Sequence, residues 1–121
     1  MADVNASLQE VMGMDGALGA ALVDWQSGMT LGTAGGGPNL NLDVAAAGNT
    51  DVVRAKLKVM QNLGLEDNIE DILITLTTQY HLIRVLERDQ GLFLYVVFSK
   101  EQANLAMARY KVTSIERGLT V

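Results

Sequence analysis

Residues 42 to 63 read LDVAAAGNTDVVRAKLKVMQNL, and at about 100° per residue they wind into a helix with more apolar surface than one neighbour can cover. Ala45, Val52, Val59 and Leu63 fall on one line of that helix, and Leu42, Ala46, Val53, Leu57 and Met60 on another. Asn49 and Lys56, seven residues apart, sit on the seam between the lines, while Asp51, Arg54, Lys58, Gln61 and Asn62 take the opposite side. The apolar arc spans roughly 160°, wider than a helix lying on a single surface requires. One half of the arc is expected to pack on the chain's own sheet and the other on a second copy of the same helix. The competing reading is a well-buried helix in a monomer, with Lys56 laying its stem along apolar surface and its ammonium in water. Under the dimer reading Asn49, Val53, Lys56 and Met60 are the helix's interface residues. Asn49 lies near the twofold, where a buried amide fixes register between paired helices.

The ends of this helix are written in its flanks. Asn41 can cap it with Asp43 in the first turn, or Thr50 can cap a shorter helix after Gly48-Asn49; the longer version is preferred, with a weak point near Gly48. Gly64 suits a left-handed C-terminal cap. Upstream, Gly35-Gly36-Gly37-Pro38 holds the chain's one proline and separates the helix from an apolar hairpin. That hairpin comprises a strand from Ala17 to Val23, a turn at Trp25-Gln26-Ser27-Gly28 and a second strand from Met29 to Thr33. The glycines of GTAGGG have neither the spacing of a dinucleotide fingerprint nor a following Gly-Lys-Ser/Thr, so they are read as a linker and not a phosphate loop. Before the hairpin, Val4, Leu8, Val11 and Met12 mark a short amphipathic helix capped by Asp3.

Downstream, Glu66, Asp67, Glu70 and Asp71 line a loop into a strand from Ile69 to Thr77. QYHLIRVLE and LFLYVVFS follow, joined at Arg88-Asp89-Gln90-Gly91. The last of these runs is apolar at odd and even positions alike, which places it centrally with both faces covered. Ser99 is expected to cap a final helix, with Gln102 completing a capping box and Ala103, Ala106, Tyr110 and Thr113 facing inward. Arg109, Lys111 and Arg117 point outward or lie near its C-terminal end. The result is an α/β (α+β) chain of order αββαβββα, a five-stranded antiparallel sheet with helices on both faces. The strand carrying Ile72 and Ile74 is too apolar and too long for a bare edge. Pairing it with its own copy removes that edge and sets two long helices side by side, a second argument for a dimer.

Composition closes several routes. A chain of 121 residues is one domain, 1–121, and its longest apolar run, Leu92 to Phe98, is far short of the roughly 20 residues a membrane-spanning helix needs. MADVNASLQE has neither the basic start nor the apolar centre of a signal peptide, so a cytoplasmic protein is expected. The absence of cysteine excludes disulfides, thiolate metal sites and thiol nucleophiles. A net charge of −5 argues against sequence-independent nucleic-acid binding. His81, the one histidine, sits among apolar strand residues and reads as structural. The acidic set after Gly64 lacks calcium-loop spacing, and no serine has a nearby base in sequence. No catalytic residue, metal ligand or cofactor site is nominated.

GALGAALVDWQSGMTLGTAGG, EDILITLTTQYHLIRVL and GLFLYVVFSKEQANLAMAR, together with the order of elements across essentially the whole chain, resemble the roadblock/dynein light-chain domain. This family includes the bacterial partner proteins of Ras-like polarity GTPases. The resemblance implies a profilin-like sandwich and a homodimer or heterodimer with a continuous sheet across the interface. It further implies a platform that binds and regulates a small GTPase or a larger signalling or motor complex, and it does not imply an active site. Members that stimulate GTP hydrolysis do so by remodelling the GTPase, so Arg54, Arg84 and Arg88 are not expected to act as inserted fingers. Arg54, Lys58 and Gln61 are the expected partner-facing surface. The alternative function is a small-molecule sensor holding a ligand between helix and sheet.

Overall fold

The structure is a computed structural model and describes residues 3–121. Asp24 and Gly28 shape the first hairpin, between β1 (Ala17–Asp24) and β2 (Met29–Gly35). The Asp24 carboxylate accepts from the Gln26 backbone N–H at 2.9 Å, and Gly28, at φ +80°, donates its own N–H to the Asp24 carbonyl at 2.7 Å. The other strands are β3 (Asp71–Thr75), β4 (Gln79–Val85) and β5 (Leu92–Ser99), and the helices are α1 (Val4–Met12), α2 (Leu42–Asn62) and α3 (Leu105–Gly118). The chain order is αββαβββα, and the strands form one antiparallel sheet in the order β2-β1-β5-β4-β3.

β5 is the middle strand, and every residue from Leu92 to Phe98 is buried. Side chains alternate across a sheet, so such a strand needs cover on both faces. Leu94, Val96 and Phe98 join Ala20, Leu22 and Leu82 under α1 and α3, which contribute Leu8, Val11, Ala108, Val112 and Ile115. Phe93, Tyr95 and Val97 join Ala21, Val23, Ile83 and Val85 on the other face, where α2 supplies Leu42, Ala46 and Val53. Glycine permits the close seating of α1: a Cβ on Gly32 would stand 2.8 Å from Val4 Cγ1.

α2 takes the longer of the two expected forms. Asn41 Oδ1 accepts from the backbone N–H groups of Asp43 and Val44, and the helix runs through Gly48 without a break. It stops where Gly64 turns to φ +71°, with the Leu65 N–H returning to the Met60 carbonyl and the Gly64 N–H to that of Gln61.

Five expectations need correction. β2 extends to Gly35, and β3 ends at Thr75 because the Leu76 N–H closes a turn onto the Gln79 carbonyl. Ser99 does not cap α3. Its carbonyl accepts from Gln102 and Ala103 in a separate turn, and Asn104 caps the helix through the Met107 N–H at 3.1 Å. Starting the helix later changes which side faces inward: Ala108, Val112, Ile115 and Glu116 are buried, while Ala106 is exposed and Tyr110 is 73% exposed. Arg109, expected to point outward, reaches across to Asp71 at 2.7 Å.

Candidate interface

α2 divides along its seam. Leu42, Ala46, Thr50, Val53 and Met60 are buried against the chain's own sheet. Val53, at 1% exposure, and Met60, at 8%, are buried within the protomer. The polar flank is tied to the first hairpin: Thr30 Oγ1 donates to Asp43 Oδ1 at 2.9 Å, and Arg54 Nη2 donates to the Gln26 carbonyl. The opposite flank looks toward β5, with the Asn49 side chain near the Tyr95 hydroxyl. Along it lie Ala45, Asn49, Val52, Lys56, Val59 and Leu63. Val52, Val59 and Leu63 are 36%, 45% and 66% exposed.

This flank overlooks the β3 end of the sheet, since α2 lies closest to β1 and β2. Register defines that floor. Ile72 pairs with Ile83 and Ile74 with His81; Ile83 belongs to the core beneath α2, so Ile72, Ile74 and His81 share its side of the sheet. All three are half-buried. Beyond them the far side of β3 is unpaired, because β3 ends the sheet. Ile72, Leu73 and Ile74 run through β3 without a proline or a charge, and Asp71 at its start is engaged by Arg109. Strand edges of this composition lack the usual safeguards against pairing. Asn49 and Lys56 thus lie on the α2 flank with Val52, Val59 and Leu63, and Ile72 and Ile74 on the same side of the sheet, which together make up the trough.

A polar chain crosses the trough's inner corner. Tyr95 Oη lies 3.0 Å from His81 Nδ1, and His81 Nε2 lies 2.9 Å from Gln79 Oε1, with the two rings edge to face at 5.7 Å. Burial pushes the His81 pKa below its ordinary value. Burial raises that of Tyr95, opposed by the nearby Asn49 side chain. Neutral His81 satisfies both contacts, accepting the tyrosine hydrogen at Nδ1 and donating from Nε2. The sequence marks His81 as structural but cannot reveal the link to Tyr95, which depends on strand register.

Lys58 and Gln61 are exposed, but Arg54 is tethered to the hairpin. Among the described residues no group of three metal-ligating side chains is placed to hold a metal, and no helix is long and apolar enough to cross a membrane. An apolar helix flank beside an open strand edge is suited to protein association.

No protein-family model and no curated protein matches the chain. Solved structures do. A Roadblock/LC7 domain from Streptomyces avermitilis is 14% identical and superposes with a TM-score of 0.82 over 97% of this chain and 94% of that one. The gliding protein MglB from Thermus thermophilus is 18% identical, with a TM-score of 0.76 over 91% and 80%. MglB in a tetrameric arrangement is 19% identical, with a TM-score of 0.77 over 93% and 81%. Identities this low speak to architecture, and the chain therefore has the fold of a roadblock/LC7 domain.

Proposed function

We propose that this chain is a non-enzymatic, homodimeric regulator or scaffold that binds a small Ras-like GTPase and modulates its activity or recruitment. The observation that carries the reading is the trough. A half-exposed apolar helix flank lies beside the half-buried Ile72, Ile74 and His81 and an unguarded strand edge, and a second copy placed about a twofold answers all three at once. Edge pairing of β3 with β3 extends the sheet to ten strands, and the two α2 helices meet along Val52, Val59 and the Asn49–Lys56 seam. The resemblance of the sequence to the roadblock/dynein light-chain domain, with which the fold agrees, supports a GTPase as the external partner, and the outer side of the paired helices, with Lys58 and Gln61, is the surface offered to it. Arg54 contributes charge there while anchored to the turn at Gln26.

The test is capture from native lysate on the immobilised protein, with GDP or a non-hydrolysable GTP analogue added and retained proteins identified by mass. Recovery of a small GTPase in one nucleotide state supports the reading, and recovery of none in either state overturns the GTPase assignment. Charge reversal at Lys58 together with loss of Gln61 should then slow the association with that GTPase and leave self-association unchanged.

A further inference from the structure

A second concavity lies between α3 and the end of the sheet formed by β3 and β4, away from the α2 trough. It encloses about 480 Å³. Arg84 is its buried member. Register sets this residue opposite Asp71 on β3 and Leu94 on β5, on the face that α3 covers. From α3, Glu116 Oε1 accepts from Arg84 Nε at 3.0 Å, and the two side chains are only 9% and 2% exposed. Neither Nη of Arg84 donates to any group among the described residues. They are not fully sealed in either, because the one fully buried side-chain polar atom without a partner among the described residues is Ser7 Oγ on α1. Arg84 lines the groove, and its Nη atoms are the donors it has left to offer there. A planar guanidinium edge is the donor arrangement that takes a carboxylate bidentately.

The remaining walls define the other end of a ligand. Arg109 is committed to Asp71 at 2.7 Å, and Arg117 lies 3.9 Å from Glu87. Asp67 and Glu70 also line the groove, and neither forms an ion pair among the described residues. A dianion such as phosphate would meet these two uncompensated carboxylates. A carboxylate that brings its own ammonium meets the remaining Nη donors of the Arg84–Glu116 pair at one end and anions at the other. The volume lies within the range of small-molecule sites, about 300 to 1,000 Å³.

We propose that this groove binds a small zwitterion of the amino-acid or dipeptide class, its carboxylate on the Nη edge of Arg84 and its ammonium toward Glu70 and Asp67. The site depends on neither the dimer nor a GTPase, so its test stands apart from theirs. The probes are glycine, L-leucine and glycyl-leucine, compared with glycyl-leucinamide, N-acetylglycyl-leucine, acetate and inorganic phosphate. The readout is nitrogen–hydrogen correlation NMR of the Arg84 Nε–H, which Glu116 holds in place, and of the Thr113 backbone amide in the groove wall. At least one zwitterion should shift both signals saturably, and removal of either charge should weaken binding about tenfold or more. No shift from any of the three zwitterions at about 10 mM, a concentration that reveals even millimolar affinity, overturns the proposal. So does an equal response to acetate or phosphate. Arg84→Met combined with Glu116→Leu removes the buried pair as a unit, an exchange that folded proteins tolerate. That variant should lose the Thr113 response, and its retention would equally overturn the assignment.

Discussion

Val53 and Val59 lie on the same helix less than two turns apart, yet they should fail in different ways when replaced. Val53 is 1% exposed within the core under α2. Truncation to alanine removes two methyl groups, about 1.6 kcal/mol of transfer free energy at about 0.8 per group, and the cavity term brings the loss to about 2–3 kcal/mol. That loss belongs to the protomer. Val59 is 45% exposed and touches its own sheet much less. Val59→Asp should therefore cost the isolated protomer less than about 1 kcal/mol. Across a twofold the same change occurs in both copies. Each loses the burial of half a valine, about 0.5–1 kcal/mol, and each must desolvate a carboxylate at a further cost of several kcal/mol. A total of about 5 kcal/mol corresponds to a dissociation constant raised on the order of a thousandfold or more. Sedimentation velocity across a concentration series measures the association, and urea unfolding measures the protomer. The reasoning is refuted if Val59→Asp sediments with the wild-type concentration dependence, or if the wild-type protein stays monomeric throughout.

Arg84→Met alone leaves Glu116 buried without its ion pair and should cost about 3–5 kcal/mol in chemical denaturation, whereas adding Glu116→Leu should restore most of the loss. The His81 pKa lies below 6.5 in the folded chain, so the unfolded chain binds its proton first as pH falls. Stability from this group is full above about pH 6.5 and declines from there down through the lowered folded value; urea midpoints measured between pH 8 and 5 should show the fall, and His81→Asn should flatten that segment. Gly48 is helical with open space where a Cβ would go, so Gly48→Ala should raise protomer stability by about 0.5–1 kcal/mol in a thermal melt. Gly35 is its opposite, at φ +70° with an added Cβ 2.8 Å from the Leu18 carbonyl oxygen, so Gly35→Ala should lower stability by more than about 1 kcal/mol in the same melt.

What the sequence exposes about this fold is its periodic and punctuated part. Asn41, Gly64 and Asp3 act locally, through backbone groups within a few residues, and so their roles as helix boundaries are legible. The doubly apolar run of β5 likewise dictates a central, two-sided strand wherever it is placed. Ser99 shows where local signals compete. Ser99 with Gln102 and Asn104 alone both satisfy capping chemistry, and the winner is set by Gly16, whose carbonyl accepts the Ser99 N–H at 2.7 Å and holds that residue in the sheet. A contact across more than eighty residues is invisible to a local pattern. Arg84 with Glu116, and His81 with Tyr95, are hidden for the same reason: each pair is created by register or by helix docking.

The division of α2 follows from a more general constraint. Both of its apolar lines are hydrophobic enough to be buried, and nothing within residues 42 to 63 ranks them. The rank comes from the hairpin. Asp43 is held by Thr30 and Arg54 by the Gln26 carbonyl, so the polar flank is rotated toward β2. Once that flank is fixed, the line through Ala46 and Val53 must face down and the line through Val52 and Val59 must face β4 and β3. The two lateral bonds thus make the surface proposed for a second copy, although neither residue belongs to it. Replacing Thr30 and Arg54 together, by valine and methionine, should loosen this rotation and weaken association without any change to the trough's own side chains. Sedimentation of that double variant with unaltered affinity would show that packing of Ala46 and Val53 sets the rotation by itself.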